Sequence, residues 1–371
     1  MDFLVGPLML AAATIGNTKR LVSTMEYIRN INFQDNQKET ALHKAVDGGY
    51  EDIVQLLLEK GVSIEAKNKH NNTSLHLAAR NGHTSMVNLL LEKGASTEAM
   101  GEDNNTPLHL AAQNGHTNMV ALLVEKGASV NAINWRDRTP LDLAAIGGHT
   151  STVELLLEKG ASIEAITEYN ESYNTPLHLA AWNGHTSTAE VLLEKGSSVE
   201  AINWYKNTPL HLAVRSGHTS TVELLLDKGA SVEATTWFGQ TPLHIAAWGG
   251  HTSTIELLLN RGASIGAITA YGGTPLHFAA ASCHSGTAEL LLRKGVPIEV
   301  GDWANNTALH LAATNGYITM TELLLKKGAS VEAINIYNYT PLDYAVQGGH
   351  TDTAKLLKKK FAKLAAHGNH E

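Results

Sequence analysis

The tetrapeptide Thr-Pro-Leu-His recurs at a fixed step along this chain, and the step limits the fold more than any other feature. It stands at Thr106–His109, Thr175–His178, Thr208–His211, Thr241–His244 and Thr274–His277. Variants beginning at Thr40, Thr73, Thr139, Thr307 and Thr340 keep the register, with the threonines 33 residues apart except for one 36-residue step from Thr139 to Thr175. A unit of this length cannot bury its apolar face alone, so the copies must stack on one another. Ten copies fill residues 40–371. Ala12, Ala13, Gly16 and Leu21 fall three periods before Ala111, Ala112, Gly115 and Val120, which adds an eleventh, degenerate copy at the start.

Each copy reads as helix, turn, helix and finger. In residues 139–171, Thr139 offers its hydroxyl as an N-cap and Pro140 takes the first helical position, where its missing N–H costs nothing. The helix buries Leu141, Leu143, Ala144 and Ala145, and Gly147-Gly148 supplies a left-handed turn. For the second helix, Ser151 and Glu154 stand at capping-box spacing, Val153, Leu156 and Leu157 form an apolar stripe, and Gly160 ends it. An extended finger then runs through Ile166 to the next threonine.

The motif, its period and the run TPLHLAAxNGHTSxVELLLEKGASVEA resemble the ankyrin repeat over the whole chain. The resemblance implies an all-α repeat solenoid of stacked helix-turn-helix units with extended, β-hairpin-like finger loops. In that frame residues 1–39 are a degenerate N-terminal capping repeat, 40–339 hold nine internal repeats, and 340–371 form a C-terminal capping repeat with a lysine-rich helix. It also implies a non-enzymatic scaffold for protein–protein interaction, expected to be monomeric, whose partners are gripped by the finger tips and the exposed face of the first helices.

Nineteen histidines invite a metal or catalytic reading. The repeat accounts for them better. One set fills the Thr-x-Leu-His slot and a second follows the glycine turn, as at His83, His116 and His149. By resemblance these imidazoles bridge backbone and side-chain groups within and between copies, so no catalytic residue, metal ligand or cofactor is assigned. Asp142 and Asp343 replace two members of the first set and are expected to keep an acceptor while losing a donor. Cys283, the single cysteine, stands where other copies have glycine, and is expected in a strained left-handed conformation.

The formal net charge of -8 argues against a nucleic-acid partner. Residues 3–15 are largely apolar, but Asp2 precedes them, no Lys or Arg comes before Lys19, and Gly6 and Pro7 interrupt the stretch, so a signal peptide is not expected. Sequons at Asn71, Asn170, Asn305 and Asn338 fall in the fingers, where glycans would mask them, which favours a cytoplasmic location.

The positions that vary carry the functional expectation. Trp135, Trp204, Trp237 and Trp303 share one finger position, Trp182 and Trp248 share one helix position, and the adjacent finger position holds Arg136, Tyr205, Phe238, Tyr271 and Tyr337. The longer finger before Thr175 adds Tyr169 and Tyr173. Aromatic rings on loop tips, in a chain whose core is Leu, Ala, Val and Ile, point to anchors for a protein partner. The alternative is that they pack on neighbouring fingers. Fingers nearer the amino terminus carry Lys67, Lys69, His70, Glu102 and Asp103 instead. A second functional reading is an adaptor or effector that also docks a membrane or acidic partner through Lys355, Lys358, Lys359, Lys360 and Lys363 of the terminal helix.

Overall fold

The computed structural model describes residues 2–164 and 173–368, with side chains over 4–164 and 173–363. Tyr169 and most of its finger lie outside the described residues. Among the described residues the chain forms 22 α-helices and no strand. They divide into two compact units, Met1–Ala180 with Ser187–Ser197, and Ala181–Thr186 with Ser198–Glu371.

In the first unit, the first helices Asp2–Thr14, Ala41–Asp47, Ser74–Asn81, Pro107–Gln113 and Pro140–Gly147 form one row, and the second helices Thr18–Met25, Glu51–Glu59, Thr84–Glu92, Thr117–Glu125 and Thr150–Glu158 form another. The second unit repeats the pattern, from Pro209–Arg215 and Thr219–Asp227 through Pro341–Gln347 and Thr351–Gly368. Leu108, Ala111 and Ala112 of a first helix and Val120 and Leu123 of the following second helix are fully buried, and the internal copies repeat these slots, whereas in the last copy Val346 is exposed. Alanine pairs let neighbouring first helices approach closely, while leucine and valine fill the wider gap between the rows.

The first helices start as the threonine and proline predict. Thr139 is the N-cap in extended geometry, its side chain accepts from the Asp142 N–H, and Pro140 follows at the first turn. The second helices differ from expectation. Thr150–Glu158 begins two residues earlier, with His149 as an N-cap that makes no side-chain capping bond, so Ser151 lies inside the helix and no Ser151–Glu154 capping box forms. The threonines instead link consecutive second helices: Thr117 Oγ1 meets Thr152 Oγ1 at 2.8 Å, and Thr219 Oγ1 meets Thr254 Oγ1 at 3.0 Å. Gly148 has φ 69° and turns the chain, whereas Gly147 remains helical.

The opening apolar segment is also corrected. Gly6 and Pro7 do not interrupt it, because Asp2–Thr14 is one helix with Pro7 inside. A Cβ on Gly6 would sit 2.5 Å from the Phe33 ring, so glycine there permits close packing of the first finger. Ala12 and Ala13 are fully buried, in the slots of Ala111 and Ala112.

Among the described residues the fingers are tight turns, with no strand assigned. In residues 134–138 the Asn134 N–H donates to the Arg138 carbonyl at 3.1 Å and the Asp137 N–H donates to the Asn134 carbonyl at 2.9 Å, with Asp137 at φ 53°. Asn71, Asn305 and Asn338 hold the same left-handed position, which Asn and Asp tolerate better than most residues.

Candidate interaction surface

Where the slot holds histidine, the buried ring ties its copy to the next finger. The Thr106 N–H donates to His109 Nδ1 at 3.1 Å, so Nδ1 is the acceptor and the ring proton lies on Nε2. Nε2 then donates to the Arg138 carbonyl at 3.0 Å, one finger further along. His43 reaches Asn72 O at 3.1 Å, His76 reaches Asn105 O at 2.9 Å, His244 reaches Gly273 O at 3.0 Å and His277 reaches Asn306 O at 2.9 Å in the same way. Burial pushes the imidazoles of His76, His109 and His244 down to about 4, with the backbone carbonyls opposing only in part. At neutral pH they are neutral tethers whose one ring proton is held in the bond to the carbonyl.

The second set of histidines ties back the other way. His116 Nε2 donates to Arg80 O at 3.0 Å and His251 Nε2 donates to Arg215 O at 3.1 Å, fixing each turn against the end of the preceding first helix. Among the described residues no three His, Cys, Asp or Glu side chains group as a metal site would require.

The two aspartates that replace tethering histidines behave in opposite ways. Asp142 and Asp343 both accept from the N–H and hydroxyl of their capping threonine through Oδ2. Each retains the acceptor, as expected. Asp142 is buried and its Oδ1 has no hydrogen-bond partner among the described residues, and desolvation pushes its carboxyl up to about 6 despite the bonds to Oδ2. Asp343 lies near the surface of the last copy, where the bonds from Thr340 dominate and hold it below the usual carboxylate range.

The fingers held in this way carry the aromatic rings. The Trp237 N–H donates to Tyr205 O at 3.2 Å, the Ala270 N–H to Phe238 O at 3.0 Å, and the Trp303 N–H to Tyr271 O at 2.9 Å, so each tip is pinned by a single backbone bond to the one before it. The Trp204 and Trp237 rings meet edge to face with centroids 5.7 Å apart, and Phe238 lies 6.5 Å from Tyr271. The rings contact one another along the row, yet Trp204 and Trp237 remain 51% and 53% exposed and Trp303 66%. Trp182, Tyr205, Phe238, Trp248, Tyr271 and Tyr337 are exposed as well. In the first unit Trp135 is exposed beneath the Arg136 guanidinium, 5.5 Å from the ring centroid, and Arg136 also approaches Asp103 at 3.7 Å.

Consecutive alanine-paired helices, histidine tethers and tip-to-tip finger bonds repeat at the same period in both units. The family profile described as Ankyrin repeats (3 copies) matches residues 8–101, 96–167, 165–236, 232–302 and 298–367. The chain belongs to the ankyrin-repeat family. No curated protein matches it. Ankyrin repeats generally mediate protein–protein interaction, and the surface this ankyrin-repeat chain presents on its fingers and first helices is aromatic in the second unit and mixed in the first. No helix among the described residues is long and apolar enough to cross a membrane.

Sequence reasoning missed two residues of that surface. Trp248, Tyr271 and Trp303 surround a cavity of about 200 Å³ that is completed by Phe278 and Asp302, with His277 and Leu311 also on its wall. Phe278 packs edge to face on Trp248, centroids 6.2 Å apart. Both could have been found as departures from the repeat. Phe278 stands where most other copies have Leu or Ile, as at Leu212 and Ile245, and Asp302 stands where the following finger has Asn335 and the preceding one Thr269.

Proposed function

We propose that this ankyrin-repeat protein is a non-enzymatic scaffold that holds a partner protein through the aromatic finger tips and first helices, with Trp204, Tyr205, Trp237, Phe238, Trp248, Tyr271, Trp303 and Tyr337 as anchors in the second unit. Trp135 and Arg136 provide a smaller contact in the first unit. Trp182 and Tyr169 belong to the same proposal by their place in the repeat.

The observation that carries this reading is the half-exposed row of rings on fingers whose backbone is already bonded tip to tip. Large rings held in place lose little conformational entropy on binding, which is why Trp and Tyr dominate interface hot spots. The interaction role general to the repeat family supports it from a separate direction.

The test is capture of partners from the native host with the full chain and with a Trp204→Ala, Trp237→Ala variant whose helical circular dichroism matches the parent. A partner retained by the parent and lost by the variant supports the reading. Equal retention removes the aromatic row from it.

A second reading rests on the terminal helix Thr351–Gly368. Lys359, Lys360 and Lys363, with Lys326 and Glu322 of the preceding copy, line one cavity. An acidic partner or membrane surface suits that charge. Co-sedimentation with anionic vesicles that disappears when these lysines are changed to Gln would favour it over the aromatic row.

A further inference from the structure

We propose that the cavity bounded by Trp248, Tyr271, Phe278 and Trp303 receives a basic side chain of the protein partner, its ammonium or guanidinium paired with Asp302 and its alkyl stem against the rings. This rests on the scaffold reading and names the chemistry of one anchor point within it.

The fold does not need a carboxylate at this position. In the equivalent fingers, Asn134 Oδ1 accepts from the Arg136 and Arg138 N–H groups, each at 3.0 Å, and Asn335 Oδ1 accepts from those of Tyr337 and Tyr339, each at 3.0 Å. Asp302 Oδ1 makes the same two bonds, to Ala304 N at 2.9 Å and Asn306 N at 2.8 Å. An amide oxygen closes this turn as well as a carboxylate does. The negative charge at residue 302 is therefore surplus to folding.

Its second oxygen is lightly used. Asp302 Oδ2 accepts one long bond, 3.3 Å from Asn306 Nδ2, and no basic side chain pairs with it among the described residues. The chain contains the same carboxylate in a paired state. Asp35 sits at the equivalent finger position, its Oδ1 accepts from Gln37 N at 2.8 Å and Glu39 N at 2.9 Å, and its Oδ2 meets Lys44 Nζ at 3.1 Å. Lys44 stands four residues after Thr40, and four residues after Thr307 the chain has Leu311. Leu311 lines the cavity. The cation that Asp35 finds within its own copy has been exchanged for an apolar wall beside Asp302.

The surroundings favour an external cation over a neutral group. In the fingers and first helices spanning 233–250, 264–284 and 298–316 there are three carboxylates, Glu233, Glu299 and Asp302, and no Lys or Arg; Arg215 of the preceding first helix lines a separate cavity with Trp248 and Phe278 and does not line this one. Four aromatic rings line the cavity, and an aromatic face attracts a cation within about 6 Å of its centroid. The chain makes such a contact itself where Arg136 lies over Trp135 at 5.5 Å. An aliphatic occupant would fill the cavity but strip water from Asp302 without giving it a partner, which opposes binding. A basic side chain satisfies both the rings and the carboxylate.

The experiment uses the full chain labelled with nitrogen-15 and two synthetic peptides, acetyl-Ser-Gly-Lys-Gly-Ser-amide and the same peptide with norleucine, an uncharged analogue, in place of lysine. Indole N–H resonances of Trp248 and Trp303 are assigned with Trp248→Phe and Trp303→Phe. The expected result is a saturable shift of both resonances by the lysine peptide, with the norleucine peptide binding about tenfold more weakly or worse. Asp302→Asn, which keeps the turn bonds and can be checked by circular dichroism, should weaken the lysine peptide by about tenfold. Equal affinity for the two peptides, an unaltered affinity in Asp302→Asn, or no saturable shift up to about 20 mM peptide would overturn the proposal. Its failure is distinguishable from that of the scaffold reading, because loss of a captured partner by the Trp204→Ala, Trp237→Ala variant does not involve this cavity.

Discussion

Cys283 and Tyr317 depart together from a glycine–histidine pair that spans neighbouring copies. A Cβ added at Gly115, Gly250 or Gly316 would stand 2.5, 2.6 or 2.4 Å from the imidazole of His149, His284 or His350 in the following copy. Cys283 keeps the left-handed backbone of those glycines, φ 61°, and the following copy has Tyr317 in place of the histidine. At these three turns a side chain and the histidine behind it would compete for the same space, as a Cβ at Gly16 would with the Tyr50 ring at 2.5 Å, whereas Gly49 leaves 3.6 Å to His83.

This coupling is open to a double-mutant cycle. Cys283→Gly is expected to raise stability by about 1 kcal/mol, by relieving a non-glycine residue at positive φ. Tyr317→His should destabilise the parent but be tolerated in the Cys283→Gly background, with a non-additive term of at least ~0.5 kcal/mol in urea denaturation. Strictly additive changes would mean that the two departures are unrelated.

Asp142 gives a prediction with a pH signature. Its folded carboxyl is raised to about 6 from an ordinary 3.8, chiefly by burial. A raised carboxyl contributes stability below its unfolded value, which is lost as pH rises through the folded value, so the ionised form is a liability at neutral pH. Asp142→Asn keeps an acceptor for Thr139 and removes the charge. Stability at pH 8 should rise by about 1 kcal/mol, and the gain should vanish near pH 4, where the parent carboxyl is protonated. A gain that is constant with pH would assign the effect to packing.

The tethering histidines act in the opposite direction. His43, His76, His109, His244, His277 and His310 all have folded values depressed below 6.5 by burial. Their neutral forms contribute stability that is fully present above 6.5 and is lost as pH falls towards about 4, where His76, His109 and His244 titrate in the folded state. Thermal midpoints should therefore fall steadily from pH 7 to pH 5. His244→Ala, which removes one of the two donors to Gly273 O and leaves only the Thr269 N–H, should lower stability by about 1–3 kcal/mol and flatten part of that slope. A midpoint independent of pH over this range would contradict neutral, buried imidazoles.

The repeating parts of the fold were legible because the same local chemistry is written many times. Thr139 and Pro140 announce a helix start, and Gly148 announces its end, with no need of tertiary information. The second-helix start was misread at Ser151 and Glu154 because spacing alone cannot show which residue leaves helical geometry. Thr152 and Thr254 turned out to be committed to hydroxyls on neighbouring helices. The fate of Pro7 depended on what packed against Gly6, a contact with Phe33 that no local pattern encodes. On the surface, the tryptophans were conspicuous by type, whereas Phe278 and Asp302 differ from their equivalents by one conservative step each. They become significant only when three copies bring them around one cavity.

The aromatic row yields the prediction on which the functional reading depends. Trp204 and Trp237 contact each other but lie half exposed outside the helical core, so removing either ring should change stability by no more than ~1 kcal/mol, the edge-to-face contact included. If the row anchors a partner, the same truncation should weaken binding by about 2 kcal/mol or more, roughly thirtyfold, because a central ring buried at an interface has no substitute. Glu154→Ala, on an exposed face of a second helix, serves as the control and should leave affinity within about twofold of the parent. Isothermal titration with the captured partner separates the outcomes. Tryptophan variants that unfold would show the rings to be part of the fold, and folded variants of unaltered affinity would move the interaction site to the charged fingers around His70 and Glu102 or to the lysine-rich terminal helix.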